Sequence, residues 1–207
     1  MTDSFTIHTN APHCLNFMIY IQNIYLNQKE KKGNLRFPYI AKQFNFSTNF
    51  EANFKELWHS LRKHIAYDKY DSQIFYDENH MFYEKLFDNH LCNEELFEEL
   101  ICSFKIWWSS IAGQLSLEWS VNEYSTQVCH DLVLYLRQQQ IEPLQQLHIS
   151  LLYDDCIFVK ENISSYSAIL LTKTFFITYR AVVTELWLLH YRPVFMLLNT
   201  AITQIKN

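Results

Sequence analysis

Two glycines in 207 residues set the tightest limit on what this chain can build. Ordinary usage is roughly 7%, or about 14 in a chain of this length. Tight hairpins, phosphate-cradling loops and nucleophile elbows need backbone at positive φ or very close approach, and glycine supplies both. With only Gly33 and Gly113, a Gly-rich nucleotide loop is excluded and a many-hairpinned sandwich or barrel is disfavoured. The four prolines, Pro12, Pro38, Pro143 and Pro193, leave long uninterrupted stretches, which suits helices.

The chain is long enough to bury about 70% of its unfolded surface without a disulfide or metal staple. At 49% apolar and 19% charged it is too hydrophobic for disorder. The five cysteines (Cys14, Cys92, Cys102, Cys129, Cys156) are odd in number, widely spaced and contain no CxxC pair. A disulfide framework and a zinc finger both fail on that spacing, and reduced thiols in the cytoplasm are expected. The opening residues, MTDSFTIHTNAPH, lack the basic and apolar regions of a secretory leader. The apolar stretch 165–205 is interrupted by Lys173, Arg180, Glu185 and Arg192. It falls short of the roughly 20 apolar residues a membrane span needs, so a buried core segment is expected there and no membrane insertion.

Periodicity predicts about seven helices in a single compact all-α bundle. Residues 14–27 are apolar on several faces, predicting a buried helix. A basic connector follows, and 38–44 offers one or two helical turns starting at Pro38. Thr48 and Glu51 fit a capping box, after which Phe50, Phe54, Leu57, Trp58, Leu61 and Ile65 recur at helical spacing. Residues 66–75 read as loop and 78–91 as helix. A long helix over 93–119 is predicted, capped by Asn93, with Glu94, Glu95, Glu98 and Glu99 at its positive end. Further helices are expected at 125–139 and 144–152. The segment 151–179 is rich in β-branched and aromatic residues, so a short β-hairpin is the alternative there. The continuous apolar density favours helix over 164–190, which together with 93–119 would form the centre of the bundle.

Charge divides the chain into a basic N-terminal helical subregion, 1–70, and an acidic, aromatic-rich helical body, 71–207, within one structural unit. Between positions 29 and 69 nine basic residues face four acidic ones, a local charge of +5, which leaves −10 for the rest of a chain at −5 overall. Such asymmetry suggests an anionic partner.

Three functional signals compete. The stretch 40–64 is similar in outline to a helix-turn-helix, which would offer Lys42, Asn49, Asn53, Lys55, Arg62 and Lys63 to nucleic acid. It departs from that pattern at Glu51, where a buried apolar residue is expected. Set against it is a plain solvated basic face, since a DNA binder ordinarily carries a denser patch.

A second signal is metal-like spacing. Glu56 and His59 form one Glu-x-x-His motif, Asp77 and His80 a shorter-armed imitation, and Glu84 lies one turn beyond His80. Carboxylate bundle sites need two full motifs plus two further carboxylates, and the polar face holding Glu56 and His59 reads as solvent-exposed. The third is aromatic excess: Trp107, Trp108, Trp119 and Trp187 suit an interface or apolar pocket, although core packing explains most such residues. Adjacent helical positions diverge by about 100°, so Trp107 is placed in the core and Trp108 becomes the interface candidate.

The sequence thus predicts a cytoplasmic, non-enzymatic regulatory or interaction protein acting through helix faces on a protein partner or a second copy. No cofactor is implied. The alternatives are a nucleic-acid-binding regulator using the N-terminal segment, and a helical metal enzyme or apolar-ligand binder.

Overall fold

A computed structural model describes residues 7–30, 35–67, 71–88, 91, 94–119, 147–159, 163–164 and 167–171, with the isolated positions 130, 133, 134 and 138. The described part is mostly helical, and it carries a small, mainly parallel sheet that corrects the all-α expectation. In chain order the elements are β1 (Ile7–Asn10), α1 (His13–Lys29), α2 (Phe50–Tyr67), α3 (Asp71–Asp77), α4 (His80–Leu86), α5 (Glu94–Trp108) and α6 (Ile111–Gln114). A π-helical turn (Leu115–Trp119) extends α6, and β2 (Leu147–Leu152), β3 (Ile163–Ser164) and β4 (Ser167–Leu171) complete the set.

The sheet order is β1-β2-β4-β3. β1 runs parallel to β2, with Ile7 opposite Leu147 and His8 opposite His148. β2 runs parallel to β4, Ile149 opposite Ala168, and β3 closes antiparallel on β4. The central strand β2 buries Ile149, Ser150, Leu151 and Leu152 consecutively, the pattern of a strand covered on both faces. Two helix expectations fall here. Residues 147–152 are strand rather than part of a 144–152 helix, and Ser164 and Ser167–Leu171 are strand where helix was favoured. The β3–β4 pair fits the hairpin alternative, and the rest of 164–190 lies outside the described residues.

The centre of the fold is α1. Its residues from Cys14 to Tyr25 are buried without interruption, because α2, α3 and β2 pack around it. An all-round apolar helix is stable only when enclosed in this way. α2 is one-sided, as its periodicity predicts: Phe50, Phe54, Leu57, Trp58 and Leu61 are buried, while Lys55, Glu56, His59 and Lys63 face outward. Its start is held by Ser47, whose Oγ accepts from Asn49 N at 3.3 Å. Glu51, expected in a capping box with Thr48, instead receives Lys29 at 3.4 Å and the Tyr25 hydroxyl at 3.3 Å.

Residues 71–75, expected as loop, fall in α3, and the described part of 78–91 holds the short α4. The long helix expected over 93–119 breaks after Trp108. Ser110 Oγ donates to Trp107 O at 2.6 Å and accepts from Gly113 N at 3.1 Å, so Ser110 caps a new helix at a tight corner. A Cβ at Gly113 would lie 2.2 Å from Trp107 O, which explains one of the two glycines. No helix among the described residues is long and apolar enough to cross a membrane.

Candidate functional site

The polar residues of α1 organise the molecule. Asn16, Gln22 and Asn23 are fully buried, and a buried amide is costly unless its bonding capacity is filled. Asn16 Nδ2 donates to Pro12 O at 2.8 Å and Leu151 O at 2.9 Å, while its Oδ1 accepts from Tyr153 N at 3.1 Å. Gln22 Nε2 donates to Asp155 O at 2.8 Å and its Oε1 accepts from Ile157 N at 2.8 Å. Asn23 Nδ2 donates to Phe37 O at 2.8 Å and Asp154 Oδ2 at 3.0 Å. Asn27 brackets Arg36, accepting from its N–H and donating to its carbonyl, at 2.8 and 2.7 Å. These side chains bind backbone as a strand would, fixing the segment after β2 and the segment 35–38 to the same helix.

That ladder places the following residues, 39–44, across the first half of α5. The segment is irregular and follows a cis Phe37–Pro38 bond. Gln28 Nε2 holds Lys42 O at 3.1 Å, and buried Phe44 anchors the far end. Between segment and helix lies a cavity of about 320 Å³, at the small end of the roughly 300–1,000 Å³ range of ligand pockets. Its walls include Tyr39, Ile40, Phe44, Leu96 and Leu100. Ser103, also on the wall, hydrogen-bonds the Tyr20 hydroxyl at 2.9 Å. Burial raises the Tyr20 phenol above its ordinary range, so this hydroxyl pair stays protonated and neutral. Lys42 and Glu99 form an ion pair among the lining residues, each more than half exposed.

Beside the N-terminus of α1, a thiol, an imidazole and a carboxylate converge. Asp71 Oδ2 accepts from His13 N at 2.5 Å, Asp71 Oδ1 from Cys14 N at 3.1 Å, and Cys14 Sγ donates to Asp71 O at 3.4 Å. The His13 ring packs on Trp108 at 4.5 Å and Phe75 at 5.7 Å between centroids. Burial first, then the Asp71 charge, drives the Cys14 thiol far above its ordinary range. A nucleophile requires the thiolate, so this trio caps a helix and does not activate a sulfur.

The residues singled out in the sequence separate clearly. The helical turns expected at 38–44 are absent, so the first helix of a helix-turn-helix is not formed. Lys42 is paired with Glu99, and Asn53 Nδ2 is committed to Lys85 O at 2.7 Å. Arg62 is half-buried, where burial works against its charge, and Asn49, Lys55 and Lys63 are exposed. Glu56 pairs with Lys85 at 3.2 Å. His59, Asp77, His80 and Glu84 are exposed, and no group of three or more metal-ligating side chains gathers among the described residues. The spacing put Glu56 and His59 on one helical face, but that face points away from the core.

Of the two adjacent tryptophans, Trp108, the expected interface candidate, lies in the core, and Trp107 packs partly buried against that core. Trp108 is only 7% exposed, packed on His13 and Phe104. Trp107 is half-buried against Tyr153 at 4.8 Å and Phe37 at 5.1 Å. α5 is enclosed on two sides, by α1 and α3 and by the segments the amide ladder fixes, so both indoles find cover. The Trp119 side chain and Trp187 lie outside the described residues. Sequence reading missed Asn16, Gln22, Asn23 and Asp71. The available signal was amides recurring at positions 16, 23 and 27 within an otherwise apolar helix, which is helical spacing for a single face.

No protein-family model, curated protein or solved structure matches this chain.

Proposed function

We propose that this chain is a non-enzymatic regulatory or interaction protein of the cytoplasm, acting through helix-face contacts, with a second copy of itself as the partner. The observation that carries this reading is the outer side of α5 and α6. Ile106, Ile111 and Leu115 are 68%, 71% and 50% exposed, three large aliphatic side chains within ten residues. The inner side of α5 is satisfied by Phe97, Leu100, Ile101, Phe104 and Trp108, so the outer aliphatics are surplus to the core. Concentrated exposure of this kind favours an interface.

Symmetry favours self-pairing: two copies meeting about a two-fold axis at this patch bury the same aliphatic side chains from both sides. Cys102 is exposed one turn before Ile106 and serves as a reporter. Sedimentation of the native chain should give a dimer that Ile106→Asp with Ile111→Asp converts to monomer. A native chain that sediments as monomer up to high concentration would overturn the reading.

A further inference from the structure

We infer that the cavity between segment 39–44 and α5 is a binding site for a small aromatic or alicyclic amine, an apolar ring carrying one ammonium group. The walls are apolar, and Tyr39 and Phe44 present aromatic rings to the space. Among the lining residues the only charged groups are Lys42 and Glu99, and they pair with each other. The Lys42 ammonium therefore already occupies the place a ligand cation would take. It enters from a flexible side chain in an irregular segment, whereas Glu99 stands on a fixed helix.

The surrounding field selects the sign of the ligand. Glu94, Glu95, Glu98 and Glu99 all lie in the first two turns of α5 and are exposed. A carboxylate ligand would meet that cluster with Lys42 alone in its favour. An ammonium ligand gains Glu99, the acidic field and the neighbourhood of two aromatic side chains, a residue type that attracts cations. Exchange releases Lys42 to water at little cost, because an exposed Lys–Glu pair contributes little. Ser103 at the wall supplies a neutral hydroxyl to a second polar atom on the ligand. The volume of about 320 Å³ admits one ring with a short arm rather than a lipid or a nucleotide.

The experiment is calorimetric titration of the full chain with 2-phenylethylamine, 2-phenylethanol and 3-phenylpropanoate, which share a ring and differ in charge. The amine should bind tightest. Glu99→Gln should weaken it by about threefold, the scale of a partly exposed ion pair, and Lys42→Gln should strengthen it by removing the internal competitor. Both side chains are more than half exposed, so neither change threatens the fold, and unchanged thermal midpoints verify that. Ala41→Trp, which fills the space, should abolish binding. Amine binding no tighter than that of the alcohol or the carboxylate would sink the inference. So would binding that survives Glu99→Gln or Ala41→Trp undiminished.

Discussion

Asn23 on α1 donates to the Asp154 carboxylate at 3.0 Å across 131 residues of chain, and Arg36 reaches the same oxygen at 3.2 Å. One buried amide thus joins the central helix, the segment leading to the cavity and the turn after β2. Asn23→Leu keeps the bulk and removes the donor, leaving Phe37 O and Asp154 Oδ2 each with one donor fewer. Stability should fall by about 1–2 kcal/mol, since Asp154 Oδ2 keeps Arg36 and Phe37 O keeps the Tyr153 hydroxyl, and a hydrogen bond lost without orphaning its acceptor costs roughly 0.5–1.5 kcal/mol, more where it reaches a charge. Urea unfolding would read this as a lower midpoint at constant slope. An unchanged midpoint would mean the ladder contributes no stability.

Asp71 should behave as a helix cap supplied from a distant element. Asp71→Ala removes the acceptor for His13 N and Cys14 N and should cost about 1–2 kcal/mol. Asp71→Asn, which keeps one oxygen, should cost less. Hydrogen exchange at those two amides should accelerate in the alanine variant, and equal protection in both proteins would refute the assignment.

Gly113 should tolerate no side chain. Alanine there brings a Cβ to 2.2 Å from Trp107 O and 2.9 Å from Trp108 O, both backbone atoms that cannot swing aside. A loss of about 1–3 kcal/mol is expected from such overpacking. Because the strain falls on the corner holding both indoles, the tryptophan emission of the folded variant should shift as well. A wild-type thermal midpoint would contradict the close approach.

The thiols should lower stability on the alkaline side. Burial raises the Cys14 thiol far above its ordinary range and pushes Cys156 up to about 12. The unfolded chain releases these protons near pH 8.5 while the folded chain holds them. In that window the native state binds more protons, so unfolding free energy falls as pH rises. The contribution is fully present below about pH 8.5 and for Cys156 is lost as pH climbs to about 12. The same burial predicts that alkylation of the native protein marks exposed Cys102 well before Cys14 or Cys156. Mass spectrometry of partly labelled protein would settle the order.

What the sequence disclosed depended on how far away each residue's partner lies. α2 was legible because one face of Phe50, Phe54, Leu57, Trp58 and Leu61 is self-evident at helical spacing, and α1 because it is apolar all round. The strands were misread for a reason tied to the glycine count. Scarce glycine argues against hairpin turns, but parallel strands are joined by helices and long connections and need no such turns. β2 itself reads Leu147-His148-Ile149-Ser150-Leu151, an apolar–polar alternation that is a strand signal, and the weight given to scarce glycine overrode it. The candidate cavity was invisible because segment 39–44 owes its course to Asn23 and Asn27, whose bonds to 36–38 are side chain to backbone and follow no local motif. Trp107 and Trp108 were assigned from helix geometry alone, which cannot say how many neighbours enclose the helix.

The pairing of β1 with β2 also governs the order in which the molecule can assemble. Asn16 meets Leu151 O only when a loop of 135 residues closes, and β1 has no partner in the described sheet other than β2. A chain emerging from the ribosome carries α1, the most completely buried of the described helices, well before the strand that completes its enclosure. Contacts of such separation slow folding and leave hydrophobic surface uncovered while synthesis proceeds. For this protein, the interval before β2 emerges is the stage at which a chaperone would have most to protect.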